Sequence, residues 1–230
     1  MKTASPSSIT AVRIPCGRVA IHGELTIPDA PKGLVIFAHA IHGGWTDSRN
    51  WPIAWELDQN GYASLLLDLL TPDEASHEHA KGFLRLEVPL LAQRLVSATR
   101  WALQQEALKG LRYAYFGSEA AGAAALEAAM ALPATAAVVC RAARTDLTSR
   151  EAEQLRKPVL LLVGEIDRRT QRWNREFAAG SPSTRRVEVV PGASHSFPEE
   201  GALRRVAGRT VSWLRSHLRD PRLDLDEVWA

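Results

Sequence analysis

The sequence predicts an α/β protein: a mostly parallel sheet with helices on both faces, opened by antiparallel strands and carrying no cap domain. Three observations predict it. From residue 33 onward, short apolar runs alternate with helix-like segments, and such alternation builds a parallel sheet covered on both sides. One strand-to-helix junction, Gly117-Ser118-Glu119-Ala120-Ala121, is built from small residues around a single carboxylate. Further along, Asp167 and His195 each fall just past a strand-like run, at the end of the sheet where open α/β proteins collect ligands.

Taken in order, Ile9 to Ile14 and Arg18 to Ile27 read as an antiparallel pair, with Gly23 marking a bulge. Leu34 to His39 is a buried strand, followed by a helix from about Ser48 to Asn60. In that helix Trp51 and Trp55 stand one turn apart and read as core. Tyr62 to Asp68 is the next strand, and its turn Asp68-Leu69-Leu70-Thr71-Pro72 leads into a solvated loop holding His77 and His79. These two histidines have no third ligand at metal-binding spacing. A long helix spans about Val88 to Gln105. After it come a strand from Leu111 to Gly117, a helix from Ala120 to Ala131 and a strand from Ala134 to Cys140. Pro158 to Gly164 and Arg185 to Val190 are the last strands, each followed by a helix. The connection between the middle strands is too short to house a cap.

The junction at Glu119 carries the chemistry. Where a chain turns sharply from strand to helix, only small side chains fit two positions either side of the central residue. Gly117 and Ala121 meet that demand around Glu119, whereas centring the turn on Ser118 would place bulky Phe116 two residues before it. Asp167 then occupies a triad-acid position and His195, in the turn-rich Pro191 to Phe197, a triad-histidine position. The order of nucleophile, acid and histidine is that of hydrolases with this topology.

On these residues the chain resembles the small bacterial α/β hydrolases of the dienelactone-hydrolase-like group, over nearly its whole length. The resemblance rests on Gly33 to His39 with the following loop, the Asp68 to Pro72 turn, Gly117 to Leu126, Gly164 to Asp167, and Pro191 to Phe197. It implies an α/β-hydrolase fold and a catalytic set of Glu119, His195 and Asp167. The backbone N–H groups of Ile41 and Ala120 would serve as the oxyanion hole, and His42, Trp45 and Arg49 would contact substrate. His39 would support the oxyanion loop by hydrogen bonding, while Arg49 and Asn50 would orient substrate or tie the loop down. Members of the group carry Ser or Cys at the turn and His-Gly after the third strand, whereas this chain has Glu119 and His39-Ala40.

Three functions stay open at this point. Glu119 could attack a carbon bearing a good leaving group or an epoxide, leaving an alkyl ester that His195 hydrolyses. It could instead act as a general base directing water onto an activated ester or lactone. Or the chain is a catalytically altered or inactive homologue that binds a small ligand, because a carboxylate beside His195 would keep the imidazole protonated. An engineered replacement of a native serine would produce the same sequence.

Composition sets the remaining expectations. The 230 residues, 46% hydrophobic and 23% charged, are enough for one sizeable core, so a single domain over 1–230 is expected, with a flexible 1–8 and a tail over 219–230. Lys and Arg number 28 against 26 Asp and Glu, a balance that disfavours nucleic acid as a partner. The amino terminus lacks a secretory apolar stretch and no later run is long enough to span a membrane, which predicts a cytoplasmic location. Cys16 and Cys140 have no metal-ligand spacing and read as buried thiols. No cofactor and no metal is expected. The partner is a small-molecule substrate or ligand, and the tail could reach a second copy in a homodimer.

Overall fold

The structure is a computed structural model that describes residues 7–40, 49–81, 83–181 and 184–218, without the side chains of 78–81. Its strands form one eight-stranded sheet. They are β1 (Ser8–Cys16), β2 (Val19–Ile27), β3 (Leu34–His39), β4 (Ala63–Asp68), β5 (Tyr113–Ser118), β6 (Ala137–Arg141), β7 (Val159–Gly164) and β8 (Arg185–Val190). The spatial order is β1-β2-β4-β3-β5-β6-β7-β8. Pairing is antiparallel from β1 through β2 to β4 and parallel from there to β8. The chain turns back across the sheet between β3 and β5, which opens a crevice at their C-terminal ends.

Strand alternation divides the core in two. Leu34, Ile36, Tyr113, Tyr115, Val159 and Leu161 face one side. They pack there against α3 (Val88–Gln104), α4 (Glu119–Ala131) and α5 (Arg168–Ala179). Val35, Phe37, Ala114, Phe116, Leu160 and Leu162 face the other, against α1 (Trp51–Gln59) and α6 (Ala202–His217). Strands buried on both faces are why these runs read as continuously apolar. Between β6 and β7 the chain forms only two short 3-10 turns, Thr145–Leu147 and Ala152–Gln154, so no cap is inserted there.

Four expectations need correction. Gly23 is not a bulge, for its pairing with Val12 and Leu67 is in unbroken register. A Cβ there would stand 2.3 Å from the Leu66 carbonyl oxygen, so glycine answers a close backbone approach. Trp51 and Trp55 are not core, being 57% and 52% exposed, and the buried residues of α1 are Ile53 and Leu57. The spacing of the tryptophans identified a shared face but not which face packs. The loop expected around His77 and His79 is the helix α2 (Pro72–Lys81), with His77 exposed upon it. Its start is a reciprocal cap: Thr71 N–H donates to Glu74 Oε2 at 2.9 Å and Glu74 N–H to Thr71 Oγ1 at 3.3 Å. Finally, Cys140 is buried but Cys16 is only partly so.

Candidate active site

Glu119 is the first residue of α4 and has φ +53, directly after the extended Ser118 at the end of β5. A residue other than glycine in this region is strained, and such strain persists only where the surroundings enforce it. They do so by close packing. A Cβ on Gly117 would lie 2.7 Å from Gly122 Cα and 2.8 Å from the Ala121 carbonyl oxygen, and one on Gly122 would lie 2.9 Å from Ala143 Cβ. The turn is also tied to the segment after β6, because Arg144 N–H donates to the Glu119 carbonyl at 3.0 Å. The Glu119 side chain is partly exposed and faces Arg49, whose Nη1 stands 3.7 Å from Oε1.

Asp167 caps α5, accepting from Thr170 N–H at 3.2 Å through Oδ1. Its Oδ2 lies 2.6 Å from His195 Nδ1, and Thr170 Oγ1 stands 3.5 Å from the same ring nitrogen. Burial pushes the Asp167 carboxyl up, but hydrogen bonds from Thr170 and His195 outweigh it and hold the group below the usual aspartate range. The turn carrying Asp167 is pinned by the buried Gln171, whose Nε2 donates to the carbonyls of Gly164 at 2.8 Å and Glu165 at 2.7 Å.

His195 sits on a loop held at both ends by carboxylates. Glu165 Oε2 accepts from Gly192 N–H at 2.8 Å and Glu199 Oε1 from Ser194 N–H at 3.0 Å. Phe197, buried at φ +58, seats the far side of the loop. The histidine side chain is 47% exposed against 11% for Asp167, so the carboxylate is shielded and the imidazole is accessible. With Nδ1 committed to Asp167, Nε2 is the nitrogen left for a reacting group.

Glu119, Asp167 and His195 line one cavity of about 490 Å³, together with His39, Ala40, Ser118 and Ala120. His39 Nδ1 and Ser118 Oγ, both buried, meet at 3.3 Å and join the ends of β3 and β5. The oxyanion loop expected to rest on His39 lies outside the described residues. Arg49 meets Glu119 and lines a neighbouring depression with Pro52, Ser196 and Phe197. Asn50 is buried at the start of α1, where its carbonyl accepts from Ile53 and Ala54. Ile41, His42 and Trp45 lie outside the described residues.

Sequence reading missed Thr170, Gln171, Arg85, Arg144, Arg169 and Trp173. Asp167 before an apolar-periodic helix is an N-cap signal, which points to the backbone N–H three residues on, that of Thr170. The other cavity residues come from separate elements, and only the fold assembles them. Among the described residues no group of three or more His, Cys, Asp or Glu side chains could hold a metal ion. Nor is any described helix long and apolar enough to cross a membrane.

A mostly parallel eight-stranded sheet with these residues at its crevice is the architecture of the α/β hydrolases. A dienelactone hydrolase from Anabaena variabilis superposes with a TM-score of 0.89 at 36% identity, over 94% of this chain and 100% of that one. The chain therefore belongs to the dienelactone hydrolase family. A lidless serine hydrolase of Xanthomonas campestris has the same fold at 14% identity, with a TM-score of 0.74 over 94% of this chain and 97% of that one. Two Mycobacterium tuberculosis proteins, provisionally named phosphoribosyl transferases, are 38% identical over 211 residues. That match takes in 91% of this chain but 47% of theirs, so the chain spans about half the length of these curated relatives. No protein-family model matches the chain.

Proposed function

We propose that the protein is a small-molecule hydrolase of esters or lactones in which Glu119 directs the attack of water and His195, held by Asp167, handles the leaving group. One observation carries the reading: the carboxylate at the strained turn lines the same cavity as the Asp167–His195 pair. The Arg49 guanidinium stands opposite Glu119, with Nη1 3.7 Å from Oε1.

In the reaction, Glu119 takes a proton from water as its oxygen attacks the substrate carbonyl. The Ala120 N–H, and that of Ile41 outside the described residues, would hold the oxyanion. His195 Nε2 then gives a proton to the departing alkoxide, and Glu119 returns its own proton through solvent to the imidazole. Direct attack by the carboxylate on an ester would instead form a high-energy mixed anhydride. On an epoxide or a carbon with a good leaving group the same carboxylate would be a nucleophile, and an adduct on Glu119 in His195→Gln protein, seen by mass spectrometry, would identify that route.

A second reading is favoured by the same Arg49 contact: a carboxylate held in an ion pair binds a ligand without turning it over. Hydrolysis of a panel of activated esters and lactones by wild type, Glu119→Gln and Glu119→Ser separates the two. Wild-type activity that falls by roughly 10²-fold or more in Glu119→Gln, the contribution of a positioned base, supports catalysis by the carboxylate. A silent wild type with activity appearing in Glu119→Ser overturns it in favour of the binding protein.

A further inference from the structure

Arg85, Arg144 and Arg169 all line the cavity that holds Glu119 and His195. They come from three separate parts of the chain: the 3-10 turn Leu84–Leu86, the segment after β6, and the first turn of α5. Like charges brought to one wall repel unless something offsets them. For Arg144 the offset is a fork onto Asp146, with both bonds at 2.8 Å. Arg169 is exposed, and no carboxylate of the described residues pairs with it. What holds it is Trp173, one helical turn further along α5 and also in the cavity wall. Its ring centre lies 5.8 Å from the Arg169 guanidinium carbon and 4.7 Å from that of Arg144.

A guanidinium fixed by an aromatic ring and left without an acid is arranged to receive an anion from outside. We infer that this wall, with Arg169 and Trp173 at its centre, binds the phosphate group of a phosphorylated small-molecule substrate. A carboxylate is satisfied by the Arg169 fork alone, whereas a phosphate monoester presents three acceptor oxygens and close to two negative charges, so it can also accept from Arg144 Nη1, which the fork onto Asp146 leaves unused. Glu119 repels a second anion, so the phosphate lies towards Arg169 and the uncharged ester or lactone towards Glu119. Only the assignment of the ligand as a substrate rests on the hydrolase reading.

Calorimetric titration of inorganic phosphate and glycerol 3-phosphate tests the site, with acetate and glycerol as controls. The proteins compared are wild type, Arg169→Gln, Trp173→Ala and Arg172→Gln. Arg172 is exposed on α5, pairs with Glu176 and lies outside the cavity lining, so its loss controls for net charge alone. Phosphate and glycerol 3-phosphate are expected to bind wild type and Arg172→Gln alike. Binding should weaken about tenfold in Arg169→Gln, the lower end for a charge-assisted hydrogen bond, and clearly in Trp173→Ala. Acetate should bind about tenfold more weakly than phosphate and glycerol not at all. No heat from phosphate, equal loss in Arg169→Gln and Arg172→Gln, or acetate binding as tightly as phosphate would each overturn the assignment. Phosphate binding in a protein that hydrolyses no ester would leave the site standing and overturn the hydrolase reading; ester hydrolysis with no phosphate binding would do the reverse.

Discussion

At the scale of single residues, Asp167 does two jobs with one carboxylate. One oxygen caps α5 through Thr170 N–H and the other holds His195 Nδ1. Its lowered pKa fixes the direction of its pH dependence. An unfolded aspartate takes up a proton first as pH falls, so stability from Asp167 is present above about pH 4 and is lost as pH drops through the lower folded value. Asp167→Asn should lose that contribution at neutral pH yet stay folded and, on the proposed chemistry, reduce kcat/KM roughly 10³-fold or more by disorienting His195. Ester hydrolysis and circular dichroism at pH 7 check both halves. Activity near wild type would remove Asp167 from the mechanism. Glu119, Asp167 and His195 were legible in the sequence because each obeys a local rule, either small neighbours at a sharp turn or a position just past a strand. Arg169 is exposed and Trp173 half-buried on one helix, and nothing local distinguishes Arg169 from Arg172.

At the scale of elements, the site depends on backbone segments packed with no room for a methyl group. A Cβ on Gly164 would fall 2.5 Å from the carbonyl oxygens of both Ala193 and Ser194, in the loop that carries His195. Gly164→Ala must push the end of β7 away from that loop, and we expect a loss of about 2 kcal/mol together with most of the hydrolytic activity. Urea denaturation and the ester assay measure the two effects. On the opposite flank, α2 is held to α3 by Arg94, which donates to Glu74 through both Nη atoms at 2.6 Å and to the Leu69 carbonyl at 2.7 Å. The Arg94 bond holds the Glu74 carboxyl at about 2, against an ordinary 4.5. Because the folded value is the lower one, this stabilisation is complete above pH 4.5 and disappears between there and pH 2. Glu74→Gln should therefore lower the thermal midpoint at pH 7 and flatten its fall between pH 5 and about 3. Parallel pH profiles of the two proteins test it.

At the scale of the whole molecule, one sheet separates two apolar layers, and neighbouring residues of one strand serve different layers. Leu160 belongs to the layer under α1 and α6, and Leu161 to the layer under α3, α4 and α5; both are essentially unexposed. Leu160→Ala and Leu161→Ala should each cost about 2–4 kcal/mol, the range for emptying a buried leucine site. Both should shift a single urea transition, because the sheet is common to the two layers. Separate transitions in either variant would show that the layers unfold independently.

The sequence by itself determined the class of fold, the order of the catalytic candidates and the residue at the centre of the strained turn. Each of these follows from local sterics or from the alternation of apolar runs. It did not determine which face of α1 packs, that α2 is a helix held to α3, why Gly23 is a glycine, or that Arg85, Arg144, Arg169 and Trp173 share a cavity with Glu119. Those were decided by tertiary structure, since each depends on what a distant segment places opposite: the Leu66 carbonyl against Gly23, Arg94 against Glu74, and three separated segments around one crevice. Spacing along a chain fixes which side chains share a face, but only packing fixes what that face meets.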